Sequence, residues 1–214
     1  MKKSLLNIAL TSLLATSAVV STQASATGIE GLSANVGAVS QYIFRGVEQT
    51  STASASAGLD YEFGNFSVGT WTADVEDGLE VDFYGSYALE LDSGLGLSAG
   101  FTTYQYTGDF DTQYNEINLG ASYDFLSIAY SVGTWEVEGG DDQDYDFLAI
   151  TAEYEGFYAT YGTWGDEFDG DYVELGFGTE VSGFDVGVAL IANSKELSGE
   201  KSDESLVFSI GKSF

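Results

Sequence analysis

Val39-Ser40-Gln41-Tyr42-Ile43-Phe44-Arg45-Gly46-Val47-Glu48-Gln49-Thr50 is the stretch on which the fold turns. Joined to the residues before it, it alternates. Leu32, Ala34, Val36, Ala38, Ser40, Tyr42 and Phe44 share one parity, and Ser33, Asn35, Gly37, Val39, Gln41, Ile43 and Arg45 share the other. Successive side chains of a strand point to opposite faces. The stretch therefore reads as a strand with an apolar face that ends in aromatics and a mostly polar face that carries the chain's only arginine.

The same pattern repeats downstream. Residues 53–63 set Ala55, Ala57, Leu59, Tyr61 and Phe63 against Ser54, Ser56, Gly58, Asp60 and Glu62, and a Gly64-Asn65 turn follows. Leu79, Val81, Phe83, Tyr87 and Leu89 then oppose Glu80, Asp82, Tyr84, Ser86 and Glu90, and Ile117, Leu119, Ala121 and Tyr123 oppose Glu116, Asn118, Ser122 and Asp124. Further strands centre on Tyr130, Ile150, Ala159, Leu175, Val188 and Phe208, giving about twelve at the spacing of membrane strands with a two-residue period. Connections alternate in kind. Short ones fall at residues 64–65, 92–94, 125–126, 155–156 and 182–183, and longer, acidic or polar ones at 47–52, 74–80, 107–113, 137–144, 165–171 and 193–203. That asymmetry predicts an all-β fold: a transmembrane antiparallel up-and-down β-barrel whose two ends face different compartments.

Residues 1–26 stand apart from this pattern. Lys2 and Lys3, an apolar run from Leu5 to Val20 and the small residues Ala24-Ser25-Ala26 describe a secretory signal peptide, which leaves residues 27–214 as one barrel domain. At the other end, Phe214 resembles the C-terminal signal by which the barrel assembly machinery of the outer membrane recognises its clients. Lys212 departs from that signal, standing where an apolar residue is usual, and its position near the rim lets the ammonium extend to water.

Composition excludes several classes. All 34 acidic residues lie after Ala26, where the remaining cations are Arg45, Lys195, Lys201 and Lys212, so nucleic acid is not an expected partner. A chain that is 44% hydrophobic does not have the composition of disorder despite its charge of −28. It has neither cysteine nor histidine, which removes disulfides, thiol nucleophiles, His-containing triads and the usual zinc ligand sets. Its carboxylates offer no marked pair for acid–base catalysis, so the chain is not expected to be an enzyme, and no cofactor is expected. The absence of proline beside 27 glycines suits long strands with tight turns.

An internal repeat singles out the tryptophans. Ser67-Val68-Gly69-Thr70-Trp71 recurs as Ser131-Val132-Gly133-Thr134-Trp135, and Gly162-Thr163-Trp164 repeats its end, so all three tryptophans precede acidic connections. If the apolar parity faces lipid, Trp71, Trp135 and Trp164 point inward near the mouth. They then either line a pore entrance or fill a tapering lumen, and their bulk favours filling. The polar parity supplies the other pore candidates: Arg45, Asp60, Glu62, Asp82, Glu116 and Glu174. Arg45 is expected to pair with Asp60 or Glu62 on the following strand or to stand at a constriction and select solute charge. A soluble lipocalin or β-sandwich would alternate in the same way with its apolar face inward, and periodicity alone does not decide which face is which.

Asp142-Gln143-Asp144-Tyr145-Asp146 has the spacing of a calcium loop, with Glu153 in twelfth place, but Phe147 stands where that loop needs glycine and a strand follows. The segment is therefore not an EF-hand. A looser divalent site drawing on Asp142, Asp144, Asp169 and Asp171 is chemically reasonable, and a solvated acidic rim is the simpler reading.

The opening stretch resembles the first strand of the TorF family of porin-like outer-membrane proteins, V-S-x-Y-x-F-R-G-x-x-Q-T, in Val39, Ser40, Tyr42, Phe44, Arg45, Gly46, Gln49 and Thr50. A second block, G-T-W followed by an acidic strand ending Tyr-Gly-x-Tyr, is matched by Gly69, Thr70, Trp71, Glu80, Asp82, Tyr84, Gly85 and Tyr87, while Glu48 and Asp74 depart from the usual residues. The resemblance implies an outer-membrane barrel and a pore, and supplies no substrate. With the acidic lumen parity it suggests a narrow, cation-preferring channel for small solutes, embedded in outer-membrane lipid. A non-conducting structural or surface-interaction barrel is the alternative.

Overall fold

The computed structural model describes residues 29–199 and 203–214. The expected signal peptide, residues 1–26, lies outside the described residues, as does Lys201. The elements run β1 (Leu32–Val39), β2 (Ile43–Phe44), β3 (Val47–Glu48), β4 (Ser54–Phe63), β5 (Phe66–Val75), β6 (Gly78–Glu90), β7 (Gly96–Tyr106), β8 (Tyr114–Tyr123), β9 (Leu126–Trp135), β10 (Gln143–Tyr154), β11 (Phe157–Asp166), β12 (Gly170–Val181), β13 (Phe184–Asn193), the short helix α1 (Lys195–Ser198) and β14 (Asp203–Ser213). All but β2, β3 and α1 close into one antiparallel barrel of twelve strands, each beside its sequence neighbour, with β1 between β4 and β14. The barrel closes between its first and last strands, where Ala34 and Phe214 exchange backbone hydrogen bonds at 3.1 and 2.8 Å.

At one end the hairpins are tight. Glu155-Gly156 and Ser182-Gly183 both have positive φ, the geometry of a type I′ turn, whose twist matches that of the flanking strands. The turn after β8 is at residues 124–125, one residue earlier than the sequence spacing predicts. The opposite end differs more. The long connections expected at 74–80 and 165–171 shrink to residues 76–77 and 167–169, because β5, β6, β11 and β12 extend through them. Asp74, Glu80, Asp166 and Asp171 therefore belong to strands, and the longer loops are 107–113, 136–142 and the segment after Asn193.

The apolar parity faces outward. Phe208 is 56% exposed and Ile117 53%, with Leu59, Leu119, Leu175 and Leu206 comparable, whereas Asp82 and Glu174 on the other parity are 0% and 1% exposed. An apolar surface encircling the whole barrel needs lipid against it. The run from Val173 to Val181 on β12 rises roughly 20 Å at ~3.4 Å per residue and the usual ~40° tilt, close to the ~25 Å band of bacterial barrels. Aromatics gather at the tight-turn end of that band: Tyr61, Phe63, Phe66 and Tyr87 form a continuous series with ring centroids 5.8, 5.5 and 4.8 Å apart. Lys212 lies at this end between Phe184 (5.0 Å) and Phe214 (5.4 Å), its ammonium over their rings.

The opening stretch does not continue the wall. β1 pairs with β14 only from Asn35 to Val39 and with β4 from Leu32 to Val39. Ser40 is the last residue to bond along the edge of β14, its amide donating to the Phe208 carbonyl (2.8 Å) and its hydroxyl accepting from the Phe208 amide (2.9 Å). The chain then turns into the lumen as the β2–β3 hairpin.

Candidate functional site

The lumen is occupied at its loop end by that hairpin, and the local sequence explains its form. Ile43 pairs with Glu48 and Phe44 with Val47, leaving Arg45 (φ 49°) and Gly46 (φ 83°) as a two-residue tip with positive φ at both positions, again a type I′ turn. Its base is closed by the Gln49 and Thr50 amides donating to the Tyr42 carbonyl and by the Tyr42 amide donating to the Thr50 hydroxyl (2.9 Å). Gly46 is required twice over. Its φ belongs to the left-handed region, and a Cβ there would lie 2.8 Å from the Tyr172 ring and 2.9 Å from Leu197.

Arg45, 4% exposed, projects from the tip to the far wall. Its guanidinium donates through Nη1 and Nη2 to the two oxygens of Glu116 at 2.7 and 2.9 Å, and through Nη2 to the Ser131 hydroxyl at 3.2 Å. The Tyr145 and Tyr104 hydroxyls donate to the same carboxylate at 3.0 and 3.3 Å. Ser131 donates to Asn118 (2.8 Å), which in turn donates to Thr102 (3.0 Å). Phe147, Phe44 and Trp164 place ring centroids 4.4, 4.8 and 5.6 Å from the guanidinium carbon. Such a paired, hydrogen-bonded and aromatic-flanked cation is among the stronger polar arrangements a protein interior holds. Tyr145 reaches Glu116 because its ring crosses Gly133, where a Cβ would come within 2.4 Å of it.

Backbone contacts complete the seat. Trp164 Nε1 donates to the Arg45 carbonyl at 3.0 Å, and the Asn193 side-chain amide donates to the Gly46 carbonyl. Nearer the base, the Tyr42 hydroxyl donates to Glu80 at 2.7 Å while its ring meets Trp71 edge-on at 5.8 Å. Beyond the hairpin, the amide and hydroxyl of Ser51 donate to Glu76 in the β5–β6 turn, which holds that carboxyl below the usual range. Ile43 enters an apolar cluster with Phe147, Tyr172, Ala189, Ile191 and Val207.

The sequence-derived candidates thus separate. Arg45, Glu116 and Trp164 meet at the hairpin tip and Trp71 at its base, but the expected pairing of Arg45 with Asp60 or Glu62 does not form. Asp60 lies farther toward the tight turns, accepting from Tyr84 (2.6 Å) and Asn35 (3.4 Å), and Glu62 is exposed. The pairing fails because the chain leaves the wall after Ser40, which puts Arg45, six residues past the end of β1, inside the lumen. Trp135 stacks on Tyr114 at 5.8 Å and donates to Asp111 at 3.1 Å, away from the tip. Asp82 stands in register between Trp71 and Tyr104, with neither carboxylate oxygen hydrogen-bonded, and Glu174 accepts from Tyr158 (2.5 Å) through one oxygen only. Among the described residues no three carboxylates gather as metal ligands. Asp144 accepts from Thr134 (2.9 Å) and Asp169 from the Gly170 amide (2.9 Å). Sequence reasoning missed Tyr42, Tyr104, Ser131, Tyr145 and Phe147. Tyr104, Ser131, Tyr145 and Phe147 lie on the inward parity, which narrows the choice without saying which of them meet.

Residues 23–193 match the family described as bacterial protein of unknown function (Gcw_chp). No curated protein matches the chain by sequence. Among solved structures, one described under "Unveiling the Mechanism Behind the in-meso Crystallization of Membrane Proteins" aligns over 86% of this chain and 83% of its own at 10% identity and a TM-score of 0.58, a likeness of fold. Acinetobacter baumannii OccAB4 (10% identity, 88% of this chain, TM-score 0.45) and Pseudomonas aeruginosa OprD (12%, 87%, 0.42) are more distant, and the chain spans 63% and 67% of their lengths. At those scores neither carries an argument about this chain. The family match covers the motifs that resemble the TorF family without supplying that name or an activity. By the extent of the match, the chain belongs to the Gcw_chp family of bacterial proteins of unknown function.

Proposed function

We propose that the protein is an outer-membrane channel of the TorF porin kind, narrow and cation-preferring, with its loop-end lumen closed at rest by the β2–β3 hairpin. The observation that carries this reading is the charge of the lumen wall: Asp60, Glu80, Asp82, Glu116 and Glu174 are all buried there, against the single guanidinium of Arg45. A passage lined by carboxylates in low-dielectric walls concentrates cations and repels anions. The apolar belt, the aromatics at the tight-turn end and the alternation of turns and loops support a membrane-spanning barrel with both termini on the periplasmic side. Export by residues 1–26 and assembly guided by Phe214 belong to the same reading.

Reversal potentials in planar bilayers under a salt gradient test it. Conductance with cation preference is expected, strengthened in Arg45→Ala, where the wall loses its compensating charge and the tip its principal contact. Anion preference overturns the reading. The depth of the Arg45–Glu116 contact favours a second reading, a barrel that does not conduct and serves a structural role. It is the correct one if neither the wild type nor Arg45→Ala passes current.

A further inference from the structure

We infer that the wall around Glu116 is a recognition site for guanidinium groups, occupied in the closed barrel by the chain's own Arg45 and matched to a small alkylguanidinium solute. The pocket belongs to the wall and not to the hairpin: Tyr104 comes from β7, Glu116 from β8, Ser131 from β9, Tyr145 and Phe147 from β10 and Trp164 from β11. Only Arg45 and Phe44 are contributed by the hairpin. Withdrawing the tip therefore leaves these wall residues in place around the Glu116 carboxylate, whose side chain is 0% exposed while Arg45 is seated on it.

The arrangement selects the fork of a guanidinium over the point charge of an ammonium. Each Glu116 oxygen already accepts one tyrosine hydroxyl, at 3.3 Å on Oε1 and 3.0 Å on Oε2, and has capacity for one more donor along the fork. Ser131, fixed by Asn118, offers a third acceptor 3.2 Å from Nη2. The Phe147 ring, 4.4 Å from the guanidinium carbon, provides a face for a flat delocalised cation. An ammonium can satisfy the charge but neither the paired geometry nor the stacking. The inference rests on the channel reading only for how a solute reaches the pocket.

The test uses the full-length refolded barrel with methylguanidinium as probe and methylammonium as control. Arg45→Gly empties the pocket while keeping a residue that tolerates the positive φ of the tip. Methylguanidinium is expected to raise the thermal unfolding midpoint of Arg45→Gly saturably, with methylammonium at least about tenfold weaker, and Glu116→Gln in the same background is expected to abolish the difference. Equal responses to the two ions, or a response that survives Glu116→Gln, overturn the inference. Should Arg45→Gly not assemble, the wild type serves: methylguanidinium competes with Arg45 for Glu116 and raises the frequency of open events in planar bilayers, and no excess over methylammonium overturns the inference. Guanidinium binding in Arg45→Gly without current in any variant retains the pocket and removes the channel. Current without discrimination retains the channel and removes the pocket.

Discussion

At the scale of single residues, Asp82 is the point of greatest electrostatic cost. It is 0% exposed and neither oxygen has a hydrogen-bond partner, while Glu80 lies two residues away on the same face of β6 and Tyr42 takes up one of the Glu80 oxygens. A buried polar group without a partner costs on the order of 1–3 kcal/mol, and more if charged. Asp82→Asn keeps the shape and removes the charge, so it should stabilise the barrel by about 1–3 kcal/mol. Urea unfolding of the barrel in lipid vesicles measures this. A lower unfolding midpoint in Asp82→Asn would show that the carboxylate is worth more than its isostere in the closed state. Glu116 is the contrasting case: equally buried, it is fully engaged by Arg45, Tyr104 and Tyr145, so its neutralisation should destabilise the closed state.

At the scale of elements, the β2–β3 hairpin is too short to be stable alone, since an isolated two-stranded hairpin is marginal even at greater length. Its order comes from the wall contacts of Tyr42, Arg45 and the two tip carbonyls. Gly46→Ala tests that dependence without replacing a wall residue. An added methyl meets Tyr172 and Leu197 below 3 Å and must hold a left-handed φ, costing the seated hairpin about 1–3 kcal/mol. The expected result is a barrel of unchanged strand content, by circular dichroism, in which the hairpin opens more often, read as faster proteolysis within residues 40–50. Unchanged protection would mean that the tip seats by another route. The strands carry their own order, because each wall strand is hydrogen-bonded to a neighbour on both sides and the closed barrel has no edge strand.

At the scale of the whole molecule, the two rims differ. Tight turns and clustered aromatics mark one, and the loops 107–113 and 136–142, which carry Asp109, Asp111, Glu136, Glu138, Asp141 and Asp142, mark the other. If the termini are periplasmic, protease added to intact cells should cut within 136–142 and leave the tight turns untouched. Recovery of the native protein in the soluble periplasmic fraction would contradict a membrane barrel. Charges on the loop rim act through solvent and are screened beyond about 8 Å at physiological salt, whereas the lumen carboxylates are sheltered. Cation preference should accordingly fall with salt to a residual value set by the lumen.

The amino-acid sequence by itself determined the strands of the wall, their approximate number, the turn positions at the tight end to within a residue and the two faces of each strand, because a period of two and the residues Gly, Asn and Asp at turns are local properties of the backbone. Its periodicity left the inside and outside of the barrel undecided, since parity is symmetric until the sheet closes; the signal-like residues 1–26, Phe214 and the alternation of turns and loops favoured the apolar face outward, and closure put Leu119 outward and Glu116 inward. It also read residues 40–45 as a continuation of the wall. Ser40, Tyr42 and Phe44 keep the alternation of β1, and nothing local separates a strand that stays in the sheet from one that leaves it. That decision belongs to the tertiary structure: Arg45 finds Glu116, 71 positions away, and its carbonyl finds Trp164, 119 positions away. Seated in the wall, those groups would face lipid or an empty lumen. Folded inward, each gains a partner that exists only once strands from both halves of the chain have closed around it.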